Sequence, residues 1–452
     1  MTKEIPSPSE ILEQYLHNVD SISTCVPAMM MMIIELQKGQ DEKVKLYLKE
    51  NGKLKKSEDG VENYLVPVKA MAEFKKISRR LDQFLTSSKL IPRNFLVSFV
   101  SEYDAFLGAL MKCFHAKKPE LLNGVEKQIT FSDLMEFKSI DAAKEHILEK
   151  DVESMLRKSH SEHFEIMEKK FKITLRKDLE SWPSFIEVME RRNLFVHCDG
   201  KVSSQYIKVC TEHKVKLDEE VAVSSQLSVS PDYLANAHKI MREIAIKLTH
   251  VLWRKVFPEE RERADGALID LGYELIQRGS YPLAINILEF AISLPSHHSD
   301  TLKRMFYINL AQAYKYSGDS AKCATLINKL DWSSVSNKFK LAVSVLREEY
   351  SDADRHMANV AKIDEISEQN FLEWTLFKDY RETAGFKREF KERYKKDPPK
   401  NSSATVSKAQ STIALEGSGV TEVQILPETP KTRKIVRRRT SPNVENVVTP
   451  EA

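Results

Sequence analysis

Hydrophobic residues recur every three or four positions along most of the chain, which is the spacing of one face of an α-helix. The stretch Ser7-Pro8-Ser9-Glu10 has the form of a capping box with proline at the first helical position, so it predicts a helix start. Residues 41–70 are less regular: an Asn51-Gly52 turn between alternating segments, followed by "YLVPV", indicates a small β-hairpin. We expect residues 1–84 to form a mostly helical N-terminal region.

Four amphipathic segments joined by short polar links follow, and together they predict a helical bundle over residues 85–258. We expect Pro92 near the start of the first helix, Asp199-Gly200 at the end of the third, and Pro258 after the fourth. The segments read "PRNFLVSFVSEYDAFLGALMKCF", "SIDAAKEHILEKDVESMLRKSHSEHFEIMEKKF", "WPSFIEVMERRNLFVH" and "SPDYLANAHKIMREIAIKLTHVLWRKVFP".

The period changes character over residues 262–395. The segments "ALIDLGYELIQRGSYPLAINILEFAISLP" and "YINLAQAYKYSGDSAKCATLINKL" place small residues, Gly272 and Ala311, where paired helices must approach closely. Both segments resemble tetratricopeptide repeats, "KLAVSVLREEYSDADRHMANVAK" resembles a degenerate third pair, and "FLEWTLFKDYRETAGF" is placed to cap the stack. The resemblance implies a surface for a protein partner. The predicted fold class is therefore all-α.

Composition narrows the function classes. The 13 glycines are few for a loop-rich β fold or a glycine-rich nucleotide fold. The net charge is +3, and residues 395–452 alone hold ten Lys/Arg and six Asp/Glu, so the remainder of the chain is close to neutral. A nearly neutral body is no broad nucleic-acid platform, and contact with a polyanion must be local. Residues 396–452 lack periodicity and predict a disordered basic tail, whose cluster "KTRKIVRRR" leaves RNA binding and an inert or targeting role both open.

Five scattered cysteines without a C-x-x-C pair are typical of reduced thiols in a cytosol. The N-terminal "MTKEIPSPSE" has no signal-peptide pattern, and the apolar run "CVPAMMMMII" is about ten residues, too short to cross a bilayer. We therefore expect a cytoplasmic protein without a membrane segment. No Gly-rich phosphate loop, H-E-x-x-H or G-x-S-x-G occurs, which argues against nucleotide hydrolysis, zinc proteolysis and serine hydrolysis.

One arginine does not fit its helix. In "WPSFIEVMERRNLFVH", Phe185, Met189 and Val196 lie on one apolar face, and Arg192 falls within the same stripe at about 100° per residue. A guanidinium cannot be deprotonated and is expensive to bury without partners. Either this face is more than core, or an anion meets Arg192 there.

Within residues 85–255 the chain resembles the HEPN domain, a helical bundle found in many prokaryotic toxin and defence proteins. The signature is arginine, a polar residue, three further residues and histidine, here Arg192, Asn193, Leu194-Phe195-Val196 and His197. The wider context "WPSFIEVMERRNLFVHCDGKVSSQYI" is similar to the abortive-infection type.

The resemblance implies an endoribonuclease that needs no metal or cofactor and acts at a composite site between two copies, in phage defence or a toxin system. His197 would transfer the proton of the 2′-OH or of the leaving oxygen. Arg192 would bind the scissile phosphate, Asn193 would orient the imidazole or the phosphate, and Arg191 faces either RNA or solvent. The product would carry a 2′,3′-cyclic phosphate.

Other interpretations remain open. In one of them, Arg192 is a structural arginine bonded to a neighbouring acid and His197 is merely the end of a helix, and the protein is then a catalytically inactive adaptor. Glu102 and Asp104 are expected on a solvated face, although they could reach the motif from an adjacent helix. His160 and His163 stand three apart on a helix, but without companion ligands they predict a charged surface rather than a metal site.

Overall fold

The structure is a computed structural model, and it describes residues 5–56, 62–118, 130–177, 179–362 and 366–399. Within these residues the chain is all-α, as predicted, with sixteen α-helices and one two-stranded antiparallel sheet. The predicted basic tail lies outside the described residues, apart from 396–399.

Eight helices build the N-terminal part of the chain. They are α1 (Pro8–Asn51), α2 (Met71–Lys117), α3 (Phe131–Glu136), α4 (Ile140–Leu156), α5 (His160–Phe171), α6 (Trp182–His197), α7 (Ser204–Glu212) and α8 (Pro231–Val256).

Eight more helices follow the 3₁₀ turn at Pro258–Glu260. They are α9 (Arg261–Gln277), α10 (Tyr281–Ser293), α11 (Asp300–Tyr316), α12 (Ser320–Ile327), α13 (Asn337–Leu346), α14 (Tyr350–Lys362), α15 (Glu368–Glu373) and α16 (Ala384–Tyr394).

The capping box that the sequence predicted starts α1. The Ser7 hydroxyl accepts the Glu10 N–H at 3.3 Å, and the Glu10 carboxylate accepts the Ser7 N–H at 2.6 Å. The helix then continues for 44 residues to Asn51, so the expected Asn51-Gly52 hairpin turn was wrong and Gly52 is instead the C-cap. The sheet forms one step later, from β1 (Lys53–Lys56) and β2 (Glu62–Leu65).

Helices α1 and α2 form a long antiparallel pair. The Gln40 side chain donates to the carbonyl of Ile77 at 3.1 Å, and the Tyr47 hydroxyl donates to the carbonyl of Ala70 at 2.8 Å. Helix α2 begins at Met71, so Pro92 lies in its interior and not near its start as predicted. A proline removes a helical hydrogen bond, but Pro92 is buried, and packing against neighbouring elements holds the helix together there.

An 18-residue stretch of α1 is long and apolar enough to cross a membrane by length and composition alone, with a mean hydropathy of 1.5. This stretch exceeds the ten-residue run on which the expectation of no membrane segment was based. Only 17% of it is buried, and Met31 and Met32 are 66% and 56% exposed. The absence of a membrane segment stays a prediction.

The core of the N-terminal part surrounds α6. Phe185 and Met189 are completely buried, and the Phe185 ring lies 5.2 Å from that of Tyr103 on α2 and 5.8 Å from that of Phe164 on α5. Helix α8 packs along the other side and is buried along most of its length. The backbone of α6 is thus held by three neighbouring helices, which fixes the direction of its polar side chains.

Helices α9 to α14 form three successive hairpins within the segment that resembles the repeats. A Cβ at Gly272 would lie 2.7 Å from the Leu288 side chain, so the absence of a side chain lets α9 approach α10 closely. The segment that was expected to cap the stack packs Phe371, Phe377 and Phe386 into the same core.

The hydrophobic core continues across the predicted domain boundary near residue 258. Phe257 is buried against the Phe114 ring at 5.7 Å, and the Arg254 guanidinium on α8 forms an ion pair with Asp265 on α9. Asp265 is completely buried, and it also accepts the His298 N–H at 2.7 Å. This ion pair therefore ties the repeat-like hairpins to the helices before them.

We predict that Asp265→Ala lowers the free energy of unfolding by about 3–5 kcal/mol, because it leaves the buried Arg254 cation without its partner. Denaturant unfolding followed by circular dichroism measures the change.

The control is Asp300→Ala, which removes a carboxylate that is 69% exposed and paired with Arg304 within α11. An exposed pair contributes about 0–1 kcal/mol. Equal losses in the two variants would show that the Arg254–Asp265 contact does not join the two parts.

Candidate functional site

The end of α6 is set by a left-handed turn. The Cys198 and Gly200 N–H groups both donate to the carbonyl of Leu194, at 2.8 and 3.0 Å, and Asp199 and Gly200 have φ values of 50° and 78°. The predicted termination at Asp199-Gly200 is confirmed, and the backbone remains α-helical as far as His197. Arg192 and His197 therefore lie on one unbroken helix.

A groove of about 520 Å³ opens along this end of α6. Three of the predicted residues, Arg192, Asn193 and His197, line it together. The opposite wall is the α4–α5 junction, and α2 and α7 contribute single side chains. The other lining residues are Asp104, Leu156, Arg157, Lys158, Ser159, His160, Glu190, Leu194, Cys198, Ser203 and Gln205.

The anion that meets Arg192 belongs to the chain itself. The Arg192 Nη2 donates to Asp104 Oδ2 at 3.0 Å, and the Arg192 side chain is 20% exposed. The apolar stripe of α6 needs no second copy of the chain to bury it, because neighbouring helices of the same chain already cover Phe185 and Met189. Arg192 sits at the edge of that stripe, where it reaches the groove.

Asp104 was expected on a solvated face, and that expectation was wrong. Its side chain is 31% exposed and its second oxygen, Oδ1, lies 2.9 Å from His160 Nε2. One carboxylate therefore holds a guanidinium from α6 and an imidazole from α5. Glu102, the other acid considered, bonds the Asn18 amide at 2.8 Å, and it does not line the groove.

His160 and His163 do not form the charged surface that was predicted, because both are buried. Their rings lie 5.0 Å apart. Burial, together with the neighbouring His160, lowers the pKa of His163 to about 4, so His163 is neutral near pH 7. The two histidines differ in position, since His160 lines the groove and His163 lies behind it.

Asn193 and His197 reach the groove without a bond to one another. The Asn193 amide donates to Glu190 Oε1 at 3.4 Å, and burial raises the pKa of Glu190. His197 is the last residue of α6 and is exposed to solvent. Asn193 was expected to orient the His197 imidazole, but its side-chain amide bonds Glu190 instead.

Arg191 points away from the groove. Its Nε donates to Glu187 Oε1 at 2.6 Å, its Nη1 donates to the carbonyl of Ser228 at 3.1 Å, and its guanidinium lies 4.2 Å from the centre of the Tyr233 ring. The Tyr206 and Tyr233 hydroxyls also donate to Glu187, each at 2.7 Å. Arg191 belongs to this largely buried network, and it is not brought together with the other predicted site residues.

Sequence reasoning missed the wall formed by Arg157, Lys158 and His160. A usable signal was present, because Ser159-His160-Ser161-Glu162 has the S-x-x-E form of a capping box. The structure contains that box: the Ser159 N–H donates to the Glu162 carboxylate at 2.9 Å. A helix start at residue 160 divides the single predicted segment into α4 and α5 and turns Arg157 and Lys158 toward the groove.

Groups of three or more histidine, cysteine, aspartate or glutamate side chains able to hold a metal ion are absent from the part of the chain that the structure describes. No protein-family model matches the chain, and no curated protein and no solved structure is significantly similar to it.

We predict that Gly200→Ala destabilises the turn after α6 by about 2–4 kcal/mol, combining the cost of a left-handed Ala with that of overpacking. An added Cβ would lie 2.7 Å from Gln226 Nε2 and 2.8 Å from the Phe195 ring. Thermal and denaturant unfolding measure the loss.

Gly279→Ala is the matched control, because Gly279 has φ of 70° but no atom within 4 Å of an added Cβ. This variant should show the backbone cost alone, about 1–2 kcal/mol. If both variants lose the same stability, the close contact at Gly200 does not exist.

Proposed function

We propose that the groove along α6 binds RNA and cleaves it without a metal ion. The observation that carries this proposal is the groove itself, which gathers Arg192, Asn193 and His197 in a volume of about 520 Å³. Arg157 and Lys158 at its rim add positive charge where a phosphate backbone would pass. The resemblance of these residues to the HEPN signature supports the same function.

The chemistry needs a phosphate ligand and a proton-transfer group. Asp104 engages Arg192 through Nη2, and the Nε is buried within the protein. The outer N–H groups of the guanidinium are the donors left for the scissile phosphate and the charge that develops on it. His197, exposed at the end of the helix, exchanges a proton with the attacking 2′-OH or the leaving oxygen. The products are a 2′,3′-cyclic phosphate and a 5′-hydroxyl.

We propose that two copies meet near Val196. This residue is 50% exposed and directly precedes His197, whereas the other apolar residues of the α6 stripe are buried. A two-fold contact at this point would bring two grooves together. The contact would be confined to the end of α6, since Phe185 and Met189 are already buried within the chain.

The hairpins of α9 to α14 would bind a protein partner that restrains or triggers the nuclease. A second groove, of about 370 Å³, lies between α9, α11 and α13 and is lined mainly by apolar residues, with Asp270, Asn309 and Asn370 among the polar ones. A cytoplasmic role in phage defence or a toxin system rests on family analogy alone.

One observation favours a second function, that of a catalytically inactive adaptor. The Arg192–Asp104 ion pair and the position of His197 at a helix end are the arrangement that a structural role predicts. In that case the groove is a by-product of packing, and the repeat-like hairpins carry the function. The behaviour of Arg192 variants separates the two possibilities.

We predict that Arg192→Lys reduces RNA cleavage about a hundred- to a thousand-fold, because lysine keeps the charge but loses the planar fork that binds phosphate. The melting temperature should change little, since the lysine ammonium can still pair with Asp104. Cleavage of labelled RNA in EDTA and thermal unfolding are measured side by side.

Arg191→Lys is the matched control on the neighbouring residue. Arg191 lies in the Glu187 network, so its change should lower the melting temperature while cleavage at a permissive temperature persists. Wild-type cleavage by a destabilised Arg192→Lys protein would contradict the catalytic assignment and favour the adaptor.

We predict that Val196→Asp gives a folded, largely monomeric and inactive protein, because an unpaired charge in the proposed contact is costly to bury. Size-exclusion chromatography with light scattering gives the mass, and an RNA assay with and without EDTA gives the activity. Wild-type cleavage should be unaffected by EDTA.

Val223→Asp controls for an added surface charge, since Val223 is 58% exposed and does not line the groove. It should leave mass and activity unchanged. A fully active Val196→Asp monomer would remove the requirement for a second copy, and cleavage abolished by EDTA would contradict metal-free chemistry.

A further inference from the structure

We infer that His160 is a second proton-transfer residue of the groove and acts as the general acid that protonates the leaving 5′-oxygen. The inference rests on the proposed RNA cleavage and extends it, because the sequence motif supplies a single histidine per chain. His160 lies 37 residues before His197 in the sequence and belongs to the opposite wall of the groove.

The first support is the way Asp104 holds His160. Asp104 Oδ1 lies 2.9 Å from His160 Nε2, while Asp104 Oδ2 accepts from Arg192 at 3.0 Å. A carboxylate bonded to one ring nitrogen orients an imidazole, as in catalytic carboxylate–histidine pairs. Since Nε2 is occupied by Asp104, Nδ1 is the nitrogen left for a substrate.

The second support is the rigidity of the ring. Only 7% of His160 is exposed, and its ring lies 6.2 Å from that of Tyr103 and 6.4 Å from that of Phe185. A buried ring with fixed neighbours that still lines an open groove is placed for directed proton transfer. Packing alone does not account for the position of His160 in the wall of the groove, next to Arg192.

The charged groups nearest His160 come from α2 and α6. Asp104 on α2 bonds its Nε2, and Glu190 on α6 adds a carboxyl whose pKa is raised by burial. Arg192 on α6 shares the same Asp104 carboxylate. Behind the ring, His163 is neutral because burial lowers its pKa to about 4, so it places no second cation against His160.

The proton transfers then balance with the residues of one groove, and the second copy proposed near Val196 would complete the surface that holds the RNA. His197, exposed to solvent, accepts the proton of the 2′-OH, and the 2′-oxygen forms a bond to phosphorus. The bond from phosphorus to the 5′-oxygen breaks, and the imidazolium of His160 donates its proton to that oxygen. Arg192 binds the phosphate between them. Water returns the two histidines to their starting protonation states, and no oxidant, reductant or metal enters.

The test compares two RNA substrates that differ in the leaving atom. One is a normal oligonucleotide, and the other carries sulfur in place of the bridging 5′-oxygen at one linkage. A thiolate leaves without protonation, so it removes the need for a general acid. His160→Gln keeps a side-chain donor for Asp104 but cannot transfer a proton.

We predict that His160→Gln slows cleavage of the normal substrate about 10²–10⁴-fold and cleaves the sulfur substrate within about tenfold of the wild type. His197→Gln should be slow on both substrates, because its proton transfer precedes departure of either leaving atom. Single-turnover rates at saturating protein measure these ratios, and circular dichroism and melting temperature show whether each variant is folded.

His163→Gln is the matched control, a buried histidine one turn further along α5 that does not line the groove. It should keep wild-type rates on both substrates at a permissive temperature. Should His160→Gln fail to fold, Asp104→Asn replaces it, since the weakened acid must show the same preference for the sulfur substrate.

The outcomes separate the inference from the proposed function. Wild-type protein inactive on both substrates would overturn the function, and the role of His160 with it. An active wild type with an equally active His160→Gln variant would overturn the inference alone. Equal losses on the two substrates would show that His160 positions Arg192 or the RNA and is not the acid.

Discussion

The carboxylate of Asp104 is the contact on which the geometry of the groove depends. It reaches from α2 to the guanidinium of Arg192 on α6 at 3.0 Å and to the imidazole of His160 on α5 at 2.9 Å. Helices α2, α5 and α6 pack against each other through apolar residues, and this carboxylate fixes their relative positions through one polar contact. Without this carboxylate the partly buried Arg192 guanidinium would lose its counter-ion. The uncompensated charge would destabilise the packing of α5 and α6 around it.

The same contact marks the limit of what the sequence could predict for the site. The positions of Arg192, Asn193 and His197 near one helix end follow from spacing along α6. Asp104 lies 88 residues earlier, so only the tertiary packing of α2 against α6 brings it to Arg192. Arg191 is next to Arg192 in the sequence but does not share its site. One step of about 100° around the helix places it in the Glu187 network instead.

The fold was more predictable where local chemistry decides the structure. The Ser7 cap and the Asp199-Gly200 termination depend on a few adjacent residues, and both were found where expected. The start of α2 was not found where expected. In the sequence Pro92 indicates a helix boundary, but in the structure tertiary packing offsets the hydrogen bond that a proline removes from a helix. The hairpin was displaced for a related reason: the residues before Asn51 continue α1 and pack along α2 instead of forming a strand.

Helix α8 connects the groove to the repeat-like hairpins physically. It packs against α6 on one side and against α9 and α10 on the other, and its Arg254 forms the buried ion pair with Asp265. Near its other end, His238 bonds Asp20 at 2.9 Å, and Asp20 also accepts from Arg278, the C-cap of α9, at 3.2 Å. Contacts of this kind transmit a shift only if they have two stable arrangements, and buried ion pairs, which are either made or broken, meet that requirement better than a continuously deformable surface. A partner on the hairpins would therefore influence α6 chiefly through the polar contacts at the two ends of α8, rather than through the apolar middle of the helix.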